Sequence, residues 1–444
     1  RLTVPDAETR AAAMDAAEAL LSPKDADGRA VEPLARALSA RAVSRPEKLR
    51  LVGLLGRTGS ERALPTLLPL LEGKSDPALA ESAAAALGTI GGKATSSALL
   101  QALDADDTRV KRAAAFSIRR SRSPQLLAPL LDRLERGGQS ERALVYLALP
   151  GPLSRSIDDA LLGRAARLLD ATRGSERDEL LEALAASSRP RARASLTRLA
   201  TSADFADRAK VAELLAGQPD VAVLARLARD SDARVRANAV WSLGFVDAAA
   251  RPLARAALEP ALKDREAVVL GNALGSWGRL AREKPELAAS ALCGAHLHDA
   301  RASVREQALR GLALAHASCA DGYPANLLRS DPRANVRRAA AELLLQSAAQ
   351  STTRRSLARC QESDTQAQVA ETCAGEARPE TSEVEPSTVL IVPSTGGDPT
   401  PGAPFALLWP DGGLRMGSAD RRGGVYEARA PQGAVESLPY VGGD

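Results

Sequence analysis

The stretch "SDARVRANAVWSLG", residues 231–244, contains the pattern from which most of this chain is built. Related segments are "DTRVKRAAAFSIRR" from Asp107, "ARASVREQALRGLALA" from Ala300 and "DPRANVRRAAAELLLQ" from Asp331. A segment that recurs in this way indicates a repeated structural unit rather than a single active site.

The four segments share one pattern of apolar residues. We number each segment from a valine that recurs in all four, which is position 0: Val110, Val235, Val304 and Val336. In all four, position 4 is Ala, position 5 is Ala, Val or Leu, and position 8 is Ile or Leu. Positions 0, 4, 5 and 8 lie on one face of an α-helix. The segments therefore predict amphipathic helices whose small central residue lets a neighbouring helix approach closely.

The spacing of these helices predicts how many there are. Position 0 recurs after 31 residues from Leu79 to Val110 and after 32 residues from Val304 to Val336. That length accommodates two helices and two turns. Amphipathic segments such as 60–73 and 251–264 supply the first helix of each pair. We expect about eleven pairs between residues 8 and 377, with the pattern weakest over 140–215.

Charged residues also recur in the repeat. A basic residue occupies position 1, and an aspartate precedes position 0 by three to five residues; an aspartate there can cap the helix. The residues in these two places are Asp107, Lys111, Asp232, Arg236, Asp299, Arg305, Asp331 and Arg337.

These motifs, best seen from Asp232 to Leu243, resemble HEAT repeats, particularly the bacterial HEAT-like repeats found in phycobilin lyases. The resemblance implies an all-α fold, a right-handed α–α superhelix with the second helices on its concave face. It also implies that the repeated Asp and basic residues form a structural ladder of polar contacts. Proteins are the usual partners of such repeats.

The composition changes near Pro379. From there to the end the chain carries nine acidic and four basic residues, whereas the whole chain has a net charge of +4. We predict three regions: a helical solenoid over 1–378, a Pro/Gly-rich linker with one β-prone run over 379–404, and a small β module or tail over 405–444.

Cysteine and histidine residues offer two kinds of site. Cys293-x2-His296 and His316-x2-Cys319 form a mirrored pattern. In a helical hairpin that turns near Ala300 the two halves would lie about 13 Å apart along the helix axis, so we predict no metal or cofactor site. Four cysteines permit three disulfide connectivities. Cys360 with Cys373 can bridge a hairpin, whereas Cys293 and Cys319 are too far apart to pair unless the loop after Ala317 folds back.

An arginine-rich stretch is the third candidate site. The arginines that could form a patch for an anionic partner are Arg109, Arg112, Arg119, Arg120 and Arg122. A solvated helix face is the alternative interpretation. Because aromatic residues do not alternate with these bases as in a base-stacking site, nucleic acid is not the partner we expect.

The sequence contains no catalytic signature that we recognise. We therefore predict a non-enzymatic scaffold or adaptor that binds proteins of unknown identity, as in a bacterial envelope assembly. The alternatives are an enzyme or enzyme subunit similar to the tetrapyrrole lyases, and weak nucleic-acid binding through the arginines. An initial Arg1 and paired cysteines favour a periplasmic or exported location over the cytoplasm. The sequence has no apolar run long enough to span a membrane.

Overall fold

A computed structural model describes residues 2–23, 25–71, 76–121, 123–375, 384–393 and 395–439 of the chain. It divides the chain into two compact units, Arg1–Ser195 and Leu196–Asp444. The sequence suggested one solenoid up to residue 378. The division falls instead inside helix α13 (Pro190–Leu199), within the stretch where the repeat pattern is weakest.

The N-terminal unit consists of helices that alternate along the chain. They are α1 (Ala7–Leu20), α2 (Val31–Leu38), α3 (Arg45–Arg57), α4 (Leu64–Leu71), α5 (Pro77–Ile90), α6 (Lys93–Ala102), α7 (Thr108–Ser121), α8 (Leu127–Arg136), α9 (Gln139–Ala148), α10 (Pro150–Arg155), α11 (Asp159–Ala171) and α12 (Gly174–Ala185). The second helices of the pairs, α3, α5, α7, α9 and α12, pack against one another in that order. Helix α1 packs against α3 and has no partner of its own in the repeat.

The C-terminal unit continues the same alternation. Its helices are α14 (Phe205–Leu214), α15 (Val221–Leu227), α16 (Ala233–Leu243), α17 (Arg251–Leu258), α18 (Ala267–Leu280), α19 (Pro285–Leu292), α20 (Ala302–Leu314), α21 (Tyr323–Ser330), α22 (Ala334–Leu345), α23 (Ser351–Ser363) and α24 (Ala367–Ala374). The second helices α14, α16, α18, α20, α22 and α24 again pack in series. Counted along the described residues, the chain forms eleven pairs after α1, with α10 as an extra short helix, which confirms the predicted number.

The predicted apolar positions form the core. Val235, Ala239, Val240 and Leu243 are all fully buried, as are the matching residues of α7 and α20. Asp232 is the N-cap residue of α16, and its carboxylate accepts a 2.9 Å hydrogen bond from the Arg234 amide. The aspartate satisfies one of the free amides of the first turn and so specifies where the helix begins.

Small residues at two further positions set how closely the second helices approach. Glycine occupies position 9 in several of these helices, and a small residue occupies position 7 of the next helix. A Cβ added to Gly244 would lie 2.7 Å from the hydroxyl of Ser276, and one added to Gly278 would lie 2.1 Å from the carbonyl oxygen of Gly311. A larger side chain in place of Gly244 or Gly278 would therefore push the two helices apart.

A β module follows the last helix. Strand β1 (Val384–Leu390) pairs with β4 (Gly424–Pro431), and strand β2 (Pro404–Leu408) lies between β3 (Leu414–Ser418) and β5 (Glu436–Ser437). All of these pairings are antiparallel. The run that we predicted to lie in a linker is β1 and pairs with β4 from Val384 to Leu390, so the described part of the module begins at residue 384 rather than at 405. Residues 379–383 lie outside the described part of the chain.

Candidate interaction surface of the second helices

The β module of the C-terminal unit lies on the second helices. Strand β3 contacts α16 and α18, and β4 contacts α14. Asn272, at position 3 of α18, donates to the carbonyl oxygen of Met416 at 2.9 Å and accepts from its amide at 3.0 Å. Gln307, at position 3 of α20, donates to the carbonyl oxygen of Leu414 at 2.8 Å. Side-chain amides of consecutive repeats thus bind one extended backbone.

A buried network of charges joins the same elements. Arg415 of β3 is 1% exposed and donates to Glu213 of α14 at 2.9 Å and to Glu427 of β4 at 3.2 Å. Burial raises the pKa of Glu427, and this effect exceeds the opposing effect of Arg415. The indole of Trp241, at position 6 of α16, also donates to the Glu427 carboxylate.

A second cluster extends this network along α14. Lys210 donates to Glu213 at 2.8 Å and to Asp420, in the turn before β4, at 2.9 Å. Burial favours the neutral form of Asp420, but the charges of Lys210 and Arg422 prevail and hold the pKa of its carboxyl well below the usual range. Asp207 occupies position 0 of α14, where the other second helices of the C-terminal unit carry valine, and accepts from Arg421 at 2.8 Å.

Helix α22 anchors the other end of the module. Arg338 donates to both carboxylate oxygens of Glu436, at 2.6 and 2.7 Å. The hydrogen bond from Arg338 is the main reason that the pKa of Glu436 is lowered. From α14 to α22, therefore, the chain's own C-terminal residues cover the face formed by positions 3 and 6.

The corresponding face of the N-terminal unit is open. Position 6 is Gly53 in α3, Ala85 in α5 and Phe116 in α7, and all three are exposed. At the same position of α9, Leu147 is half-buried. We call Gly53, Ala85, Phe116 and Leu147 the N-terminal face. Sequence reasoning missed this face because α3 and α9 carry Glu47 and Glu141 at position 0, in place of an aliphatic residue.

The structure separates the predicted arginine patch into parts. Arg112 and Arg120 are exposed on α7, one turn to either side of Phe116, and Arg119 is half-buried. Within the described residues no acidic side chain forms an ion pair with these three arginines. Arg109, by contrast, pairs with Asp107 at 2.9 Å, and Arg122 lies outside the described residues. We call Arg112, Phe116, Arg119 and Arg120 the Arg–Phe patch.

Phe116 bears on the expectation that no aromatic residues alternate with these arginines. The residue is 46% exposed, and Arg112 and Arg120 lie one turn to either side of it on α7. From the sequence we expected no aromatic residues to alternate with these bases, and we did not single out Phe116. Its exposure becomes evident only once the neighbours of position 6 are known.

The predicted ladder residues take two different roles. Arg236, Arg305 and Arg337 each reach the turn of the following repeat, where they bind Asp264, Asp331 and Asp364 at 2.7–2.8 Å. The predicted acids Asp107, Asp232 and Asp299 instead pair with the arginine two residues later in their own turn. Among the predicted residues, therefore, only Arg305 and Asp331 bind each other across a repeat. The side chain of Lys111 makes no hydrogen bond or ion pair within the described residues.

Sequence reasoning missed further members of this ladder. Arg208, at position 1 of α14, binds Asp230 at 2.7 Å, and each ladder arginine also donates to carbonyl groups of its own turn. The ladder is interrupted at α18, where Leu270 occupies position 1. The acids Asp264 and Asp364 precede Val269 and Val369 by five residues, as Asp331 precedes Val336, but these two repeats were not among the four that we aligned.

All four cysteines form disulfides. Cys360–Cys373 joins α23 to α24, as the sequence proposed, and Cys293 is bonded to Cys319. We had expected the second pair to be too far apart unless the loop after Ala317 folded back. The chain turns back after α20, with His316 at a left-handed φ of 53°, and this turn brings Cys319 to a Cα–Cα distance of 5.6 Å from Cys293.

Neither a metal-binding cluster nor a membrane-spanning helix is found among the described residues. No group of three His, Cys, Asp or Glu side chains in this part of the chain is placed to hold a metal ion. None of the described helices combines the length and the apolar character needed to cross a membrane.

Comparison with known proteins identifies the repeat. The family model for HEAT repeats matches residues 31–119 and 64–150. No curated protein matches the chain at a significant level. Among solved structures, yeast importin-β (Kap95p) is similar at 14% identity with a TM-score of 0.40, over 78% of this chain and 56% of that one.

Two other solved structures are similar to this chain at comparably low identity. Kap121p bound to Pho4p is 14% identical with a TM-score of 0.38, and 77% of this chain corresponds to 48% of that chain, about half of its length. Human deoxyhypusine hydroxylase, in complex with glycerol, is 23% identical with a TM-score of 0.25, over 63% of this chain and 93% of that one. Similarity at this level has no bearing on function. The family match identifies residues 31–150 as HEAT repeats, and both units of the described chain consist of helix pairs of the same construction.

Proposed function

We propose that this protein is a non-enzymatic scaffold that binds other proteins through the N-terminal face. Stacked helix pairs bury a continuous core and leave the outer residues of each helix free to vary, which makes such arrays suited to recognition. In the C-terminal unit the comparable face already holds the β module, so the N-terminal unit provides the surface that remains available.

The observation that carries this proposal is a difference in burial at one repeat position. At position 6, Trp241 is 1% exposed and Arg310 is 2% exposed, whereas Phe116 is 46% exposed. The helices that present these residues are built alike, and in the C-terminal unit the β module lies on the second helices. An exposed aromatic residue at such a position favours a partner.

The small residues beside Phe116 support the same proposal. Gly53 has no neighbouring atom within 4 Å of the place where a Cβ would lie, and Ala85 is exposed. A ligand backbone can therefore approach α3 and α5 closely while its side chains reach Phe116 and Leu147. Rigid helices of this kind lose little conformational entropy when a ligand binds.

The test is an unbiased selection of peptides. A random peptide library displayed on phage is selected against the whole chain, and bound peptides are mapped by hydrogen–deuterium exchange. We expect the selected peptides to protect α5 and α7 and to lose binding in Phe116→Ser. A matched control is Ile157→Ser, which removes an apolar side chain that is 80% exposed in a loop. Selected peptides that protect only other surfaces would contradict the proposal.

We also propose that the scaffold works in an oxidising compartment. Two disulfides that use all four cysteines support this, since such bonds persist in secreted and periplasmic proteins and are rare in the cytosol. The test is mass analysis of the protein isolated from its source with free thiols blocked by alkylation. Four alkylated cysteines would contradict this location.

A further inference from the structure

We infer that the Arg–Phe patch binds an acidic, extended segment of a partner protein, with an apolar side chain of that segment placed on Phe116. This inference rests on the proposed function and specifies the partner's chemistry. It depends on the charge of the patch, on the exposure of Phe116, and on an internal example of the same kind of recognition.

The charge of the patch is not neutralised by its surroundings. Other arginines of the N-terminal unit have acidic partners: Arg45 binds Asp76 at 2.7 Å, and Arg133 binds Asp104 at 2.6 Å. Arg112, Arg119 and Arg120 lie within about two turns of α7, and none of them has an acidic partner among the described residues. These arginines give this side of α7 a positive charge, so a ligand that brings carboxylates complements it.

Phe116 lies between these charges. Arg112 precedes it by four residues and Arg120 follows it by four, which places all three side chains along one side of α7. An apolar side chain seated on the ring would shield it from water, while carboxylates to either side reach the guanidinium groups. A segment that meets both requirements has acidic residues on both sides of an apolar one.

The C-terminal unit contains an example of this recognition. At the position equivalent to Phe116, Trp241 donates from its indole Nε1 to Glu427 at 2.7 Å. Glu427 is carried by the extended strand β4, and Arg415 lies beside it. The guanidinium of Arg279 stacks over the Trp241 ring with its carbon 4.2 Å from the ring centre. Position 6 of this repeat thus binds a carboxylate from an extended chain, with an aromatic ring and arginines together.

A protein segment fits the patch better than a nucleic acid does. Binding of single-stranded nucleic acid generally uses several aromatic rings, one for each stacked base. On the N-terminal face Phe116 is the one aromatic residue, and its neighbours at position 6 are Gly53, Ala85 and Leu147. Aliphatic and small neighbours suit a peptide side chain.

The experiment measures fluorescence polarisation of labelled peptides with the whole chain. The probe is a short peptide with glutamates on both sides of a central leucine, and the comparison peptide has glutamine in place of each glutamate. We expect the acidic peptide to bind at least about tenfold more tightly and to weaken as NaCl is raised. Replacement of the three arginines, Arg112→Glu, Arg119→Glu and Arg120→Glu, should weaken binding by at least about tenfold.

Matched controls separate the patch from general effects of charge. Arg167→Glu makes the same change at an exposed arginine of the first helix α11, which has no ion-pair partner among the described residues, and should change the affinity less than about twofold. Far-UV circular dichroism checks that each variant is folded. Phe116→Ser should weaken binding of the acidic peptide and leave the helical content of the protein unchanged.

Several results would overturn the inference. They are equal binding of both peptides, binding that survives the charge reversals, and tighter binding of single-stranded oligo(dT) that is lost in the same variants. If the library selection finds non-acidic peptides on α5 and α7, the proposed function stands and this inference fails. If no peptide binds that face in either experiment, both fail.

Discussion

The indole Nε1 of Trp241 donates a 2.7 Å hydrogen bond to the carboxylate of Glu427, a residue 186 positions further along the chain. Both groups are 1% exposed. The bond joins a helix of the repeat to a strand of the β module, and Arg415 is bound to the same carboxylate. Leaving a buried charge or polar group without its partner lowers the free energy of unfolding. The module and the helices beneath it should therefore unfold together.

Replacing Arg415 tests this coupling. In Arg415→Met, Glu213 and Glu427 lose a buried cationic partner, and we expect the free energy of unfolding of the C-terminal unit to fall by about 3–5 kcal/mol. Tryptophan fluorescence during urea unfolding reports on this unit alone, since Trp241, Trp277 and Trp409 all lie within it. Arg429→Met, at an exposed residue of β4, should change the free energy by less than about 0.5 kcal/mol. Equal effects of the two substitutions would contradict the coupling.

Asp420 makes the stability of the same unit depend on pH. Its folded-state pKa is lowered by Lys210 and Arg422, so its contribution is present above the unfolded pKa of about 4 and is lost as the pH falls through the folded value. We expect Asp420→Asn to be less stable than the natural chain at about pH 6–7, and the difference to shrink below about pH 4. Urea unfolding at a series of pH values measures this difference in the free energy of unfolding. A difference that stays constant over the whole range would show that the charge of Asp420 is unimportant.

The glycines at position 9 should be sensitive to a single added methyl group. In Gly278→Ala the new Cβ would lie 2.1 Å from the backbone oxygen of Gly311, which cannot move without shifting α20. We expect the free energy of unfolding to fall by about 1–3 kcal/mol. Gly275→Ala in the same helix meets only the Gln307 side chain, at 3.5 Å, and should be neutral or slightly stabilising because alanine favours the helix. Thermal unfolding of the two variants provides the comparison.

The ladder can be measured by a double-mutant cycle. Arg337 and Asp364 are 12% and 6% exposed, and the hydrogen bond from Arg337 lowers the pKa of Asp364. We expect Arg337→Gln and Asp364→Asn to be coupled by about 1 kcal/mol in urea unfolding. Arg355→Gln, at an exposed residue of α23, should show no coupling with Asp364→Asn. Full additivity at Arg337 and Asp364 would mean that the ladder does not stabilise the stack.

The disulfide between Cys360 and Cys373 should hold the last helix pair together. The bond closes a loop with a sequence separation of 13, for which chain entropy alone predicts a stabilisation of about 3 kcal/mol. We expect Cys360→Ser with Cys373→Ser to increase hydrogen exchange in α23 and α24 first. Unchanged exchange in these two helices would contradict a stabilising role for the bond.

The positions that form the core could be predicted because they depend on a local property. Val235, Ala239, Val240 and Leu243 repeat at helical spacing, and burial of one helical face against the next follows from that spacing in each repeat. The close approach at Gly244 and Gly278 was also present in the sequence as a glycine at position 9. We missed it because we aligned four repeats and the glycines occur mainly in others.

The candidate site was only partly predictable. The arginines of α7 were evident as a cluster, but their lack of acidic partners depends on which side chains the neighbouring helices bring near them. The ladder acids Asp264 and Asp364 were missed because their repeats were not among the four that we aligned. The pair Cys293–Cys319 was missed because the backbone turn at His316 is not apparent from helix geometry.

The sequence by itself determined that the chain is a series of helix pairs, because the spacing of apolar residues in each repeat permits no other way to bury them. Only the tertiary structure decided which of the repeated faces is free. The β module covers the second helices of the C-terminal unit through partners such as Glu427 and Trp241, which lie 186 residues apart. Contacts over such distances leave no periodic trace in a sequence, so the exposure of Phe116 and the burial of Trp241, at the same position of two similar helices, could not be distinguished without the fold.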